Sequence, residues 1–411
     1  MTKTIPFDLN QIQDIIKKYP TPFHIYDEKG IRETSKSLYN AFSWTAFTNY
    51  FAVKALPNPY ILELVKSEGM GVDCSSMAEL VLAERSGFKG EQIIFSSNDT
   101  PSADFNKAAD LKAIINLDDI SHINFLKKAT KELPEIICFR FNPGPERGGN
   151  KIIGNPAEAK YGLTREQLLE AYNICKNNGV TRFGLHTMLA SNELNVTYFA
   201  ETVKMMFELA VEIKQKLNIK LEFIDLGGGI GIPYSPEQDQ FDIKLFSKNT
   251  KDLYQNILKP HELRPKLYME CGRYITGPHG YLVSTVLHIK HTYRDYVGLD
   301  ASMANLMRPG MYGAYHHISV LGKENDLKTH TYDVTGALCE NNDKFAIQRS
   351  LPEIEEGDIV VLHDTGAHGY SMGFNYNGML RSAELLLREN GEVKLIRRAE
   401  TLEDYFATLK F

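Results

Sequence analysis

The stretch of sequence that decides the fold is TRFGLHTMLASNELNVTYFAETVKMMFELAVEIKQKLNIKLEFIDLGGG, residues 181–229. Between Asn195 and Leu217 the apolar residues recur at spacings of three and four, which predicts a helix with one buried face. The runs on either side, TRFGLHT and LEFID, are short and mostly apolar, as buried parallel strands are. The stretch therefore predicts two parallel strands joined by a helix.

The same alternation of short apolar runs and helical patterns extends on both sides, from about residue 30 to 280. Six further strand-like runs belong to it: FTNYFAV (47–53), GVDCS (71–75), IIFSS (93–97), KAIIN (112–116), IICFRFN (136–142) and KLYME (266–270). Eight strands alternating with helices over about 250 residues are typical of a (β/α)8 barrel. Periodicity does not reveal whether a sheet closes, so a doubly wound open sheet is the alternative.

The chain changes character after residue 280. Residues 281–411 contain strand-like runs such as YLVSTVLHI and DIVVLHD, and Gly and Pro interrupt the segment repeatedly. This pattern predicts a second, mostly β domain, a β-sandwich or β-barrel. The run TPFHIYD, within residues 1–29, is a candidate strand of the same domain. The predicted fold class is α/β, with a barrel at residues 30–280 and a β domain after it.

Composition and charge exclude some kinds of partner. The net charge is −6, with acidic and basic residues mixed along the chain. A nucleic-acid or anionic-membrane partner would favour a basic patch, so neither is expected. The five cysteines are scattered without a CxxC pair, which predicts reduced thiols and no metal centre. The N-terminus lacks an apolar leader, and we expect a cytoplasmic protein.

The segment FAVKALPN (51–58) places Lys54 at the carboxyl end of the first predicted barrel strand. Active sites of such barrels lie at this end of the strands, so Lys54 is a candidate nucleophile. Among Phe51, Val53 and Leu56 its ammonium would be partly desolvated, and its pKa would fall toward that of a nucleophilic amine. An ordinary lysine at a strand end is the alternative.

Two later loops offer complementary groups. Gly227, Gly228 and Gly229 follow the seventh strand, where a glycine-rich loop forms either a tight turn or a cradle for phosphate. ECGR after the eighth strand contributes Glu270 and Arg273, either a structural ion pair or a carboxylate and an anion-binding group. An amine, a phosphate cradle and a carboxylate for a ring nitrogen are together what pyridoxal phosphate needs.

The motifs occur in a specific order: FAVKALPN, VDCSSMAEL, GLHTMLAS, GGGIGIPY, ECGR, MRPGMYGAYHH, LCENND and GAHGYSMGFNYN. In this order they resemble the fold-type III pyridoxal-phosphate decarboxylases, most closely the diaminopimelate decarboxylases. The resemblance implies an alanine-racemase-like barrel, a C-terminal β domain and a homodimer with shared active sites. It also implies decarboxylation of a basic amino acid at a D-configured α-carbon.

The resemblance further assigns roles by position. Lys54 would form the Schiff base with the cofactor, and Asp73 would lie beside it. The phosphate or the nearby end of the substrate would be held by Ser191, Gly227, Gly228, Gly229 and Arg273. Glu270 would hold the pyridine nitrogen. The substrate-binding positions are Arg273, Arg308, Tyr312 and Glu340. Cys339 and Glu340 would be supplied across the dimer, Cys339 to protonate the carbanion and Glu340 to recognise the distal amine.

Several positions depart from the family pattern. Met188 stands where a histidine normally stacks on the cofactor ring, and His368 replaces a tyrosine that contacts the phosphate from the partner chain. Asn341 and Asn342 replace Ser-Gly after Glu340. These changes leave two substrate predictions open: meso-diaminopimelate, or D-lysine and D-ornithine, a branch that the combination GLHTMLASNE, ECGRY and CENNDKFA favours.

Two other functions remain as alternatives. A racemase of the same fold would need a second acid–base residue opposite Lys54, where this chain offers Cys339. A cofactor-binding paralogue without catalytic activity would be expected to lose Lys54 or Cys339, and both are present.

Overall fold

The computed structural model describes residues 3–148 and 154–411. The chain divides into two compact units. The barrel unit comprises residues 32–232 and 240–274, and the β unit comprises the described residues up to 31 together with 233–239 and 275–411. The first elements along the chain are α1 (Leu9–Lys18), β1 (Phe23–Asp27) and α2 (Glu28–Ala41).

The barrel unit is built on a closed sheet of eight parallel strands. They are, in order, β2 (Phe47–Ala52), β3 (Gly71–Cys74), β4 (Ile93–Ser96), β5 (Ile114–Leu117), β6 (Ile136–Arg140), β7 (Arg182–His186), β8 (Phe223–Asp225) and β9 (Lys266–Met269). Pairing of β2 with β9, with Phe47 opposite Leu267, closes the barrel. The barrel prediction is confirmed, and the open sheet is excluded.

Helices follow the barrel strands. They are α3 (Pro59–Ser67), α4 (Met77–Arg85), α5 (Ser102–Asp110), α6 (His122–Thr130), α7 (Arg165–Asn177), α8 (Val196–Leu217), α9 (Ile243–Leu253) and α10 (Arg273–Thr276). Asn195 caps α8, because its side chain accepts hydrogen bonds from the Thr197 and Tyr198 N–H groups, and Asn218 ends it in the left-handed conformation. The apolar face of α8 is buried, as its spacing predicts, and each fully buried large side chain contributes about 1.5–3 kcal/mol.

The barrel interior is a packed core beneath its polar mouth. Rings of Tyr50 and Phe223 flank that of Tyr268, with centroid distances of 4.9 and 4.5 Å. Gly184 makes room for them, since a Cβ there would lie 2.0 Å from the Phe223 ring. The polar ends of the strands therefore lie directly above a closely packed apolar core.

The β unit contains a nine-stranded sheet in which β1 lies beside strands from the end of the chain. Its other strands are β10 (Gly280–His291), β11 (Asp295–Leu299), β12 (Ile318–Val320), β13 (His330–Thr335), β14 (Lys344–Leu351), β15 (Ile359–Leu362), β16 (Ala383–Leu387) and β17 (Val393–Arg397). β1 is antiparallel to β10 and parallel to β16. The short helices α11 (Arg308–Tyr312) and α12 (Leu402–Phe406) complete the unit.

Across residues 3–148 and 154–411, we find no helix that combines the length and the apolar character needed to cross a lipid bilayer.

Candidate active site

Polar side chains gather at the carboxyl ends of the barrel strands. Several are fully or almost fully buried at or just beyond a strand end, among them Asp73, His186, Asp225 and Glu270. Parallel strands of a closed barrel all end at the same rim, so these side chains share one mouth. This is where barrel enzymes place their chemistry.

Glu270 carries the negative charge of this cluster. Its Oε2 lies 3.1 Å from Nε2 of His186, and both side chains are buried. Burial alone would raise the pKa of the Glu270 carboxyl, but the charge and hydrogen bond of His186 hold that pKa below its usual value. The other oxygen, Oε1, is buried and has no hydrogen-bond partner among the described residues. The result is an ionised acceptor that faces the mouth.

The pKa values of the two neighbouring aspartates, Asp73 and Asp225, shift in the opposite direction. Burial and the negative charge of Glu270 raise the pKa of Asp73 and of Asp225 well above the usual value. Carboxylates this close cannot all ionise, so protons stay on the aspartates while Glu270 is charged. Ligand atoms of His186, Asp225 and Glu270 also lie within 4.8 Å of one another, a spacing that suits a metal ion. The hydrogen bond between His186 and Glu270 already occupies two of those atoms.

Lys54 lies at the rim, in the short turn Val53–Ala55 directly after β2. Its Nζ is 4.0 Å from Oδ2 of Asp73, and its side chain is 54% exposed. Phe51, Val53 and Leu56 are buried, whereas just over half of the Lys54 side chain is exposed, so the partial desolvation of its ammonium stays a prediction.

The glycine-rich loop after β8 lies against both neighbouring loops. A Cβ on Gly227 would lie 2.1 Å from the Thr187 carbonyl oxygen, and one on Gly228 would lie 2.5 Å from that of Glu270. Gly227 and Gly229 also have φ angles of +69° and +90°, which favour glycine. Only glycine lets the backbone run this close to its neighbours.

Met188 and Ser191 border the same loop. The Gly228 N–H donates to Sδ of Met188 at 3.2 Å, and Arg273 Nη2 lies 3.4 Å from Oγ of Ser191. The Gly227 N–H donates to Oδ1 of Asp225 at 2.8 Å. The barrel unit thus brings together a candidate phosphate region formed by Ser191, Gly227, Gly228, Gly229 and Arg273.

The remaining predicted site residues belong to the β unit. Arg308 opens α11 and is 6% exposed, whereas Tyr312 at its end is 64% exposed. The exposed Cys339 donates its backbone N–H to Oδ1 of Asn377 at 2.9 Å, and Oε1 of Glu340 accepts the Asn342 N–H at 3.0 Å.

Gly310 connects α11 to this turn, because a Cβ there would lie 2.5 Å from the Asn342 carbonyl oxygen. The helix that carries Arg308 and Tyr312 therefore lies against the turn that carries Cys339 and Glu340. His368 lies elsewhere in the unit, partly buried and with a φ angle of +56°.

Sequence reasoning missed His186, Asp225 and Arg140. All three are the last residues of barrel strands, and Arg140 directs Nη1 toward Asp118 at 3.7 Å and places its guanidinium 3.8 Å from the Tyr161 ring. A usable signal was present, since the runs IICFRFN, TRFGLHT and LEFID each turn polar at the carboxyl end. Apolar strands that end in charged residues indicate a barrel mouth.

The mouth fits pyridoxal phosphate. An ionised, buried and unpartnered carboxylate oxygen suits a protonated pyridine nitrogen, and a rim lysine suits the aldehyde. Glycines that admit only backbone, with Ser191 and Arg273 beside them, suit a phosphate. Fold and site together define a barrel enzyme of the pyridoxal-phosphate class.

The comparisons with known proteins identify the family. The model of the family "Pyridoxal-dependent decarboxylase, pyridoxal binding domain" matches residues 28–277. The chain belongs to the pyridoxal-dependent decarboxylases, and its cofactor is pyridoxal phosphate.

Full-length relatives extend the likeness over both units. Protein TabA of Pseudomonas amygdali pv. tabaci is 43% identical, with 97% of this chain and 94% of that protein covered. Diaminopimelate decarboxylase of Methanothermobacter thermautotrophicus is 35% identical, with 95% and 92% covered. The crystal structure of diaminopimelate decarboxylase from M. jannaschii in complex with L-lysine is 29% identical, with a TM-score of 0.90 and 97% and 94% covered.

Proposed function

We propose that the chain decarboxylates a diamino acid at a D-configured α-carbon, with meso-diaminopimelate as the first candidate substrate. D-Lysine and D-ornithine are the second candidates, because Met188, His368, Asn341 and Asn342 depart from the family pattern. The observation that carries the chemistry is the Glu270 carboxylate, which is ionised, buried and free at Oε1. Relatives named diaminopimelate decarboxylase, similar over more than nine-tenths of the chain, support the substrate.

The barrel residues hold and polarise the cofactor. Glu270 Oε1 would accept a hydrogen bond from the pyridine N–H, while His186 fixes the orientation and charge of the carboxylate. When bound, the cofactor would supply an electron-poor ring that can delocalise the electron pair left by loss of carbon dioxide. The raised pKa values of Asp73 and Asp225 favour Glu270 as the group that would bring a negative charge to the ring.

Lys54 and the glycine-rich loop would hold the aldehyde and the phosphate of the cofactor, respectively. The Lys54 amine binds the aldehyde at the rim, 4.0 Å from Asp73. Gly227, Gly228 and Gly229, with Ser191 and Arg273, hold the phosphate. The Gly228 N–H now donates to the thioether of Met188, a weak acceptor, so this N–H would be available to a phosphate oxygen of the cofactor.

Residues of the β unit bind the substrate and return the proton. Arg308 and Tyr312 bind a carboxylate of the substrate, and Glu340 binds the distal amine. Cys339 delivers the proton of its Sγ to the α-carbon, and its exposure in the single chain suits use by a second copy. His368 would contact the phosphate of the cofactor that the second copy binds.

A homodimer with shared sites follows from this assignment. We also propose a barrel domain at residues 30–280 and a β domain at 281–411 that is joined by the N-terminal strand within residues 1–29. Light scattering on the holoenzyme should give about twice the chain mass of 46.5 kDa. A monomer that is fully active would contradict the sharing of sites. The free cysteines, four of them buried, suit the reducing cytoplasm that we propose as its location.

One substrate panel tests the function: meso-diaminopimelate, D-lysine, D-ornithine and the L-forms, compared by release of carbon dioxide and by kcat/KM. Release from one D-configured substrate is expected, and Lys54→Ala should abolish it. The matched control is Lys160→Ala, which removes another exposed lysine 3.8 Å from an aspartate. Racemised substrate without carbon dioxide would identify a racemase instead, and full activity of Lys54→Ala would remove Lys54 from the mechanism.

A further inference from the structure

Within the β unit, Arg308 is held by two neutral side chains. Its Nη1 lies 2.9 Å from Nε2 of His316, and its guanidinium carbon lies 4.4 Å from the centre of the Tyr234 ring. The Tyr234 and His316 rings contact each other edge-to-face, with centroids 5.1 Å apart. Arg308 is 6% exposed and His316 is fully buried, so this group is a rigid part of the fold.

The partners of His316 determine its protonation. Its Nδ1 lies 2.8 Å from the carbonyl oxygen of His363, which can only accept, so Nδ1 carries the proton. Nε2 faces a guanidinium N–H, which can only donate, so Nε2 offers its lone pair. His316 is therefore a neutral imidazole. A proton on Nε2 would point at the arginine and break the contact.

These two contacts orient the guanidinium, and neither of them brings a negative charge to it. A carboxylate in the place of His316 would form an ion pair with Arg308, whereas an imidazole lone pair and an aromatic face orient a guanidinium without one.

We propose that His316 is a positioning residue that orients Arg308 for a substrate carboxylate. The inference rests on the proposed function, in which Arg308 binds the substrate. Two parallel N–H···O bonds between arginine and carboxylate require the guanidinium plane to be fixed, and the Tyr234 ring and the His316 lone pair fix that plane. His316 acts only through Arg308 and touches no reacting atom.

The adjacent His317 provides a matched control. It belongs to the same His-His pair, but its Nδ1 lies 3.4 Å from the Tyr315 hydroxyl, and its ring packs against His363 at 5.1 Å. His317→Leu therefore removes an imidazole from the same strand region without removing the Arg308 acceptor.

The test compares His316→Leu, His316→Gln, His317→Leu and Arg308→Lys on the best substrate of the panel. KM, kcat and thermal midpoint are measured for each holoenzyme. Loss of a hydrogen bond to a charged group should raise KM about tenfold or more in His316→Leu, with kcat within about threefold. His316→Gln, whose amide oxygen can accept at the place of Nε2, should recover most of that loss, and His317→Leu should keep the original KM.

The outcomes separate the inference from the function on which it rests. Unchanged KM in Arg308→Lys would overturn the role of Arg308 in substrate binding. A raised KM in Arg308→Lys, with unchanged KM and a lowered thermal midpoint in His316→Leu, would make His316 merely structural. If His316→Leu does not fold, His316→Phe takes its place, because phenylalanine keeps a ring but offers no acceptor to Arg308; an unchanged KM in that variant would overturn the inference.

Discussion

At the scale of single residues, the site depends on where one negative charge resides. Among Asp73, Asp225 and Glu270, only Glu270 has a lowered pKa, because His186 is its partner. The sequence indicated Glu270 through ECGR, but His186 looked like an ordinary strand residue. A single sequence does not show which buried histidine lies beside which carboxylate, since the two are separated by 84 positions.

Removal of that histidine should therefore change the pH dependence. In His186→Gln, the pKa of Glu270 rises because burial is no longer offset. Activity that needs ionised Glu270 is then lost at a higher pH, so the acid limb of the kcat profile moves upward. Profiles of kcat against pH for this variant and for the exposed control Glu262→Gln check the shift. An acid limb at the same pH in both would contradict the role of His186.

At the scale of elements, the sequence predicted the individual barrel strands but did not show that the sheet closes into a barrel. Six runs outside residues 181–229 matched barrel strands because each is a short apolar segment between turns. Closure depends on the pairing of Phe47 with Leu267, a contact between the ends of the barrel that no local periodicity encodes. The sheet order of the β unit is likewise set by long-range pairing, such as β1 between β10 and β16.

The glycine loop provides the prediction at this scale. Gly228→Ala would force a Cβ against the Glu270 carbonyl oxygen at 2.5 Å, so two loops must separate. We expect a destabilisation of about 1–3 kcal/mol and weaker binding of pyridoxal phosphate. Urea unfolding and cofactor titration measure the two effects. Gly148→Ala is the control, because a Cβ there meets no atom of the described residues within 4 Å. Equal stability of both variants would refute the close packing.

At the scale of the whole molecule, buried histidines make the β unit sensitive to acid. Burial lowers the pKa of His24 and of His279 to about 4. A base whose pKa is lower in the folded than in the unfolded chain is protonated more readily when unfolded. Its contribution to stability is complete above pH 6.5 and is lost as the pH falls toward 4.

For His24 alone, the loss between pH 7 and pH 5 is about 2 kcal/mol. His24→Gln should therefore show a smaller drop in the free energy of unfolding over this range than the unmodified chain. Urea denaturation at the two pH values measures it. His288→Gln, at a histidine with 71% side-chain exposure, should behave as the unmodified chain does. Identical drops in all three proteins would contradict the burial argument.

The contact between Gly310 and the Asn342 carbonyl has a consequence for evolution. It joins α11 to the turn at 339–342 through backbone atoms, so it places no demand on the side chains at 341 and 342. Both side chains are exposed. Substitutions at 341 and 342 can therefore accumulate without moving α11, the helix that carries Arg308 and Tyr312. Residues 341 and 342 can thus vary at little cost to folding, and Asn-Asn in place of the Ser-Gly expected from the resemblance is a change of this kind.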